Sequence, residues 1–265
     1  MLTEAAGAVN AAPRRGGTAP YLAVGRHAVE AFLAARPHDV DRVLVCRDLA
    51  DTLSGLGHVR VEYVVRDVID RLAQGLPHQG VAALGRHPSA WALDDLIAAQ
   101  PEIVLVLDEV TDPRNVGAIL RSAEAAGVGA VVLARDRAPQ LTPALVKASA
   151  GAVEWVPIVR VVNIVRTLDA LRAAGYWTIG LAGESSESLY EKGAIPGFPL
   201  ALVVGSEGEG MRQLVRRSCD RIVRIPMLGR SSSLNASIAA AVALFEVRRL
   251  ATDRLVGAAP PGAKP

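Results

Sequence analysis

Two cysteines in 265 residues, Cys46 and Cys219, stand far apart among apolar neighbours, which excludes a disulfide framework and predicts two buried free thiols. Aromatic residues make up only 4% against 51% hydrophobic overall, so the core must be built from Ala, Val, Leu and Ile. Lysine is nearly absent: Lys147, Lys192 and Lys264 are the only three, and arginine carries the remaining positive charge. A net charge of +2 is too small for a general nucleic-acid-binding field, so any basic footprint has to be local. No apolar run reaches the roughly 18 residues that a membrane span requires. The first twenty residues carry Glu4, Arg14 and Arg15 and lack the continuous apolar stretch of a signal peptide. These absences predict a soluble, cytoplasmic protein.

What is present falls into two blocks. Residues 21–87 read as a small α/β unit: a helix at Arg26–Arg36, strands at Arg42–Cys46, Val61–Val65 and Gly80–Leu84, and a helix near Asp67–Gln74. Residues 88–101, with Trp91, Leu93, Leu96 and Ile97, read as a partly helical linker. From 102 to 252, apolar β-type runs recur at Ile103–Leu107, Ala130–Ala134, Trp155–Val159, Trp177–Leu181, Leu200–Val204 and Ile222–Ile225, with helical patterns between most of them. Near-continuous apolar strands alternating with helices indicate a parallel sheet covered on both faces. Residues 1–20 and 253–265 read as disordered ends.

Three motifs follow strand-like runs with loops rich in Gly, Asn or Ser and then enter helices, the place where open α/β sheets build ligand sites. They are DEVTDPRNVGAILR (108–121), VVGSEGEGM (203–211) and IPMLGRSSSLNASIA (225–239). In the first, Asn115 sits at an N-cap position, Val116, Ile119, Leu120 and Ala123 form the apolar stripe, and Gly127 is a natural C-terminal stop. Arg121 falls away from that stripe among small residues, either to meet a ligand or as a solvated helix arginine. The second is not a GxGxxG loop, because Glu207 replaces the second glycine, and it has no Gly-Lys-Ser/Thr. Its Gly205, Gly208 and Gly210 allow positive φ and close backbone approach, as they also would in a plain tight turn. In the third, Ser233, Asn235 and Ser237 are candidate caps for a helix at Asn235–Leu250 that is apolar nearly all round, as expected of burial on several sides. Between the last two motifs, Arg212, Arg216, Arg217, Arg221 and Arg224 form the densest basic run, either an RNA-backbone contact or a solvated amphipathic face.

In this order and spacing, the three motifs resemble the SpoU/TrmH family of RNA 2′-O-methyltransferases, over about residues 21–249. The resemblance is nearest to the bacterial enzymes that methylate a guanosine in the P-site loop of 23S rRNA. It implies a SPOUT fold, an α/β parallel sheet with a C-terminal trefoil knot, preceded by an L30e-like domain, with two subunits completing each site of a homodimer. It places S-adenosylmethionine (SAM) contacts on Leu181, Ala182 and Gly183, on Gly205, Glu207, Gly208 and Gly210, and on Ile225, Met227 and Leu234. It assigns functional side chains to Asn115, Arg121, Glu207, Ser233 and Asn235. RNA contact is implied for Gly25, Arg26 and His27, and for His78 and Gln79, with 23S rRNA or a large-subunit precursor as partner.

SAM is an activated donor, so positioning in line with the ribose oxygen carries much of the reaction. No His, Cys or metal cluster lies in the motifs, and no metal is expected. The resemblance assigns Arg121 as the base, yet a guanidinium stays protonated up to about pH 12. In the alternative, a substrate phosphate and Arg121 act together, with Arg121 polarising the hydroxyl and steadying developing charge. The sequence does not separate the two. Two other readings compete. One keeps the chemistry and changes the target to tRNA or an antibiotic-contact site in rRNA. The other is a non-catalytic RNA-binding assembly factor, which retention of Asn115, Arg121, Glu207, Ser233 and Asn235 argues against.

Overall fold

The computed structural model describes residues 20–47, 59–231 and 233–257. The expected disordered ends lie outside these residues except for Pro20 and residues 253–257, and the latter are helical, against expectation. The first sheet contains β1 (Tyr21–Val24), β2 (Val40–Cys46), β3 (Val61–Val64) and β4 (Val81–Gly85), in the order β1-β4-β2-β3. Only β2 and β3 run parallel; β4 is antiparallel to both its neighbours. Helices α1 (Arg26–Ala35) and α2 (Arg66–Ala73) complete this unit. The sequence pattern does not announce β1, a four-residue strand too short to show a period of two.

After α3 (Leu93–Ala99), the second sheet is built from β5 (Ile103–Asp108), β6 (Ala130–Ala134), β7 (Ile158–Val161), β8 (Trp177–Leu181), β9 (Leu200–Gly205) and β10 (Arg221–Val223). Its order is β10-β8-β9-β5-β6-β7 and every pairing is parallel. Helices α4 (Pro113–Ala125), α5 (Pro143–Ala148), α6 (Ile164–Ala173), α7 (Gln213–Arg217) and α8 (Ala236–Gly257) surround it. Alternate residues of β5 serve opposite faces, as the strand period dictates. Ile103, Leu105 and Leu107 join the core shared with α4, α5 and α8, while Val104 and Val106 join the one shared with α3 and α6. Burial of both faces explains why the strands read as unbroken apolar runs.

Three local readings are corrected. β7 starts at Ile158 rather than Trp155, because Ala152–Glu154 form a 3₁₀ turn that ends on a half-exposed Trp155. Helix α4 begins at Pro113, capped by the Asp112 side chain accepting from Arg114 N at 2.8 Å. Proline fits the first helical position, so Asn115 lies inside the first turn and does not cap it. Helix α8 continues to Gly257, past the expected end at Leu250. Gly127 does close α4: at φ +67 it bonds Glu124 O, and Val128 N bonds Ala123 O, a Schellman pair.

The two sheets share one continuous core in which Tyr21, Val29 and Phe32 pack with Leu145 and Val153. At the seam between the units the Glu154 side chain is buried, taking the Tyr21 hydroxyl and Arg36 Nε, the latter at 2.9 Å. The Arg36 guanidinium lies 4.6 Å from the Phe32 ring centroid, a cation–π contact. Burial first, and then the Glu154 carboxylate, push the Tyr21 phenol far above its ordinary range, so it stays a donor. A Cβ on Gly151 would come within 2.3 Å of Ala31 Cβ, so the units meet there through bare backbone. Among the described residues no helix is long and apolar enough to cross a membrane.

Removing one partner of a buried ion pair costs about 3–5 kcal/mol, because the other charge is left uncompensated. Glu154→Ala is therefore expected to destabilise the whole chain by about 3 kcal/mol, read as a lowered midpoint in urea unfolding. Glu154→Gln, which keeps an acceptor for Tyr21, should cost less.

Candidate functional site

The carboxyl ends of β8 and β9 open onto a cleft of about 550 Å³, within the usual range for small-molecule sites. Nine of the ten residues expected at a cofactor site line it: Leu181, Ala182, Gly183, Gly205, Gly208, Gly210, Ile225, Met227 and Leu234. Glu207 does not; its carboxylate turns to Asn235 instead. Ser233 joins the lining with Ala236 and Ala239, the latter two from the first turn of α8 and not anticipated.

Backbone geometry explains the glycines. Ser206 and Gly210 exchange backbone hydrogen bonds at 3.0 and 3.1 Å, closing a tight turn over Glu207–Glu209. Gly208 (φ +87) and Gly210 (φ +70) occupy conformations that side chains resist. A Cβ on Gly205 would stand 2.1 Å from Gly210 C and 2.2 Å from Met211 N, so the end of β9 admits no side chain at all.

One amide ties the three motifs together. Asn235 Oδ1 accepts from Ser237 N at 2.9 Å and from Ser237 Oγ at 2.6 Å, capping α8. Its Nδ2 donates to Asn115 Oδ1 and to Glu207 Oε2, both at 3.0 Å. The capping oxygen fixes the orientation of the amide, so the nitrogen must face the other two motifs. Ser237 itself is a donor to this cap and not the cap.

Arg121 stands apart, exposed on α4 and away from the cleft lining. The two loops expected to contact RNA do meet: Gln79 Oε1 accepts from Arg26 N at 3.1 Å, beside Gly25 at φ +89, and His27 is exposed. His78 differs, being buried, with Nδ1 accepting from Gly80 N at 3.0 Å and Nε2 2.8 Å from Asp70 Oδ1. It shapes the loop and presents no surface to a ligand. Lys147, on α5 of the second unit, reaches this place too, its Nζ 2.8 Å from where a Gly25 Cβ would sit, and burial lowers its pKa.

Three arginines of the basic run, Arg212, Arg216 and Arg221, are held in ion pairs. Asp108, fully buried at the end of β5, accepts from Arg212 N at 2.8 Å, Nε at 2.9 Å and Nη2 at 2.6 Å. Arg216 pairs with Glu184 at the cleft rim, and Arg221 pairs with Glu187 at 2.7 Å. An aspartate ending an apolar strand was the available signal for the first clamp, but its partner lies 104 positions away. Both cysteines are free; Cys46 is buried as expected, whereas Cys219 is only partly buried, though desolvation still pushes its thiol up to about 12. Among the described residues no group of three or more His, Cys, Asp or Glu could hold a metal ion.

The profile of the SpoU rRNA Methylase family matches residues 102–245, and that described as RNA 2′-O ribose methyltransferase substrate binding matches residues 22–91. The chain is 42% identical over 237 residues to the 23S rRNA (guanosine-2′-O-)-methyltransferase RlmB of Photobacterium profundum, covering 85% of this chain and 96% of that protein. It is 42% identical to the RlmB of Salmonella typhimurium over 239 residues, 86% and 98% of the two chains. Among solved structures it resembles the SpoU methyltransferase AviRb of Streptomyces viridochromogenes in complex with AdoMet, with TM-score 0.72, 26% identity, and coverage of 88% and 91%. The AdoMet-bound rRNA methyltransferase of Sinorhizobium meliloti gives TM-score 0.71 at 26% identity, with 87% of each chain covered.

The Asn235 amide can be tested without reference to activity. Asn235→Ala should lower stability by about 1 kcal/mol through loss of the cap. Asn235→Asp keeps the capping oxygen but sets a carboxylate against Glu207. Adding Glu207→Gln should then recover most of that loss, seen as coupling in a thermal double-mutant cycle.

Proposed function

Since the chain belongs to the SpoU rRNA methylase family, we propose that it transfers the methyl group of SAM to the 2′-hydroxyl of a guanosine in 23S rRNA. The observation that carries this reading is the cleft: residues of all three motifs meet in one pocket or on the single Asn235 amide beside it. The pocket fits SAM by its chemistry. Gly183, Gly205, Gly208 and Gly210 offer bare backbone for polar contacts, and Leu181, Ile225, Met227 and Leu234 offer apolar walls for an adenosine and a thioether. When bound, SAM supplies an electrophilic methyl group, and the chain's own task is to place the ribose oxygen and manage its proton. Arg121 donates to the 2′-hydroxyl and steadies charge developing there. As a permanent cation it polarises and does not remove the proton, which passes to a substrate phosphate or to solvent as the ribose oxygen takes the methyl group and S-adenosylhomocysteine leaves. Asn115, Glu207 and Asn235 hold the loops around the ribose in one geometry, and Ser233 faces the cleft beside them.

The remaining assignments belong to the same proposal. The unit of residues 21–87 is the L30e-like substrate reader, with Gly25, Arg26, His27 and Gln79 on its RNA side and His78 beneath them. Residues 102–252 are the SPOUT methyltransferase, working in the cytoplasm. A trefoil knot is supported by the path of the chain, which crosses from β9 past β8 to β10 and returns to lay α8 against α4 and β9. A homodimer is supported by α8, which buries Ala240, Ala243, Leu244 and Val247 yet leaves Ile238 and Phe245 half-exposed. Arg121, exposed and not among the residues lining the cleft of its own subunit, serves that of the second copy.

Arg121→Ala should reduce methyl transfer to a 23S rRNA fragment at least about a hundredfold, with SAM affinity by calorimetry within a few fold. A fully active variant would make Arg121 a solvated helix residue. The shared site makes a second prediction. Mixing Arg121→Ala with Gly205→Ala, each inactive alone, should restore a fraction of the activity, because a mixed dimer keeps one intact pairing of arginine and cleft. No recovery after subunit exchange would make each subunit self-sufficient.

A further inference from the structure

Two clefts meet at Trp91 and Arg160 and belong to neither the cofactor pocket nor the Gly25–Gln79 surface. One, of about 260 Å³, lies where the first unit, the linker and the 3₁₀ turn before β7 come together, and Trp155 stands at its wall with half its surface exposed. The other, broader at about 930 Å³, opens at the carboxyl ends of β6 and β7 and is lined by Arg135, Gln140, Arg160 and Arg166. Trp91 is fixed between them by its backbone, which bridges to Val159 and donates to Ile158 O at 3.3 Å.

The charge here is unbalanced. Arg160 spends Nη2 on Pro139 O at 2.6 Å, but Nη1 is buried with no hydrogen-bond partner, and burial pushes the guanidinium below its ordinary range. A buried donor without an acceptor is destabilising, and a bound anion would satisfy it. Arg135 and Arg166 are exposed, and among the described residues neither has an ion-pair partner. Arg166 sits in the first turn of α6, the end where the helix dipole disfavours a cation. It is placed against helix stability. Among the described residues no carboxylate lines the broader cleft. In the narrower one, Asp39 and Glu154 are both committed to arginines of the first unit.

Arg160 lines both clefts and shares the narrower one with the exposed Trp155 indole. Cations along a groove with an aromatic ring hold single-stranded nucleic acid, phosphates on the cations and a base on the ring. The position suits the substrate. The broader cleft opens on the same edge of the sheet as Gly205, with β7 three strands from β9, roughly 14 Å at the usual strand spacing, while Trp155 precedes β7 and stands towards its other end. We propose that this double cleft is a second RNA-contact site, which grips a single-stranded segment of the rRNA running from the edge that carries the cofactor cleft towards the amino end of β7, with phosphates on Arg135, Arg160 and Arg166 and, at the far end, a base on Trp155. The assignment rests on the rRNA methyltransferase reading of the cofactor cleft.

The test uses the full chain and a fluorescein-labelled 23S rRNA fragment followed by anisotropy. Arg135→Ala/Arg166→Ala should weaken binding at least tenfold and reduce the salt slope of binding by about 1.4, since each single-strand phosphate left unneutralised accounts for about 0.7. The loss in methylation should fall on KM for RNA, with SAM affinity unmoved, which a folding defect would not spare. Trp155→Ala should remove the quenching of indole fluorescence that a single-stranded hexaribonucleotide produces in the intact chain. Unchanged RNA affinity and salt slope in the double variant would overturn the site. Since binding is measured directly, this result stands apart from failure of the methyltransferase reading, which would appear as an inactive wild-type protein.

Discussion

The side chain of Asn235 is the constraint on which the site depends. Its oxygen is committed to the start of α8 and its nitrogen to Asn115 and Glu207. Residues that lie 120 positions apart are thereby held in one place. An amide suits this because it carries a donor and an acceptor at fixed separation, which neither a carboxylate nor a hydroxyl supplies in the same rigid form. The Asp108–Arg212 clamp acts one layer below. It anchors the segment after the glycine loop to the end of β5, so the loop is fixed at both ends while its glycines keep the cleft open. Stability of α8 and shape of the cleft are therefore one property.

The parallel sheet was legible because burial on both faces leaves its strands uniformly apolar, and the cleft was legible because close backbone approach demands glycine at Gly205, Gly208 and Gly210. What the sequence concealed was pairing across distance. Arg212 could be read only as one of five arginines in a row until Asp108 stood beside it. Asn115 looked like a cap because the cap rule weighs residue type, and Asp112 followed by Pro113 satisfied it first. His78 looked like a surface residue, but its loop folds inward to use both ring nitrogens. Trp155 looked like a strand residue, being apolar, yet the turn at Ala152–Glu154 leaves it half-exposed at a cleft.

The seam between the two units carries a different lesson. A buried glutamate that meets a phenol and a guanidinium is not needed for hydrophobic cohesion, which Leu145, Val153 and Phe32 already provide. Its contribution is directional: Glu154 accepts from Tyr21 and Arg36 only at one relative placement of the sheets. The RNA-side loops around Gly25 and Gln79 are thus held at a set position relative to the second unit, with Lys147 of that unit beside them.

The order of the second sheet bears on how the chain is made. β5, buried on every residue, lies between β6 and β9, and its Ile103 pairs with Leu200, nearly a hundred positions later. At about 5–20 residues per second on the ribosome, that partner arrives roughly 5–20 s after β5 itself. Throughout that interval one edge of a wholly apolar strand has no pairing partner. Pairings of such long range also slow folding, because chain closure must precede any reward from burial. The strand that places Asp108 beneath the cleft is thus open to misassociation in the nascent chain, and its safety rests on how promptly β9 follows.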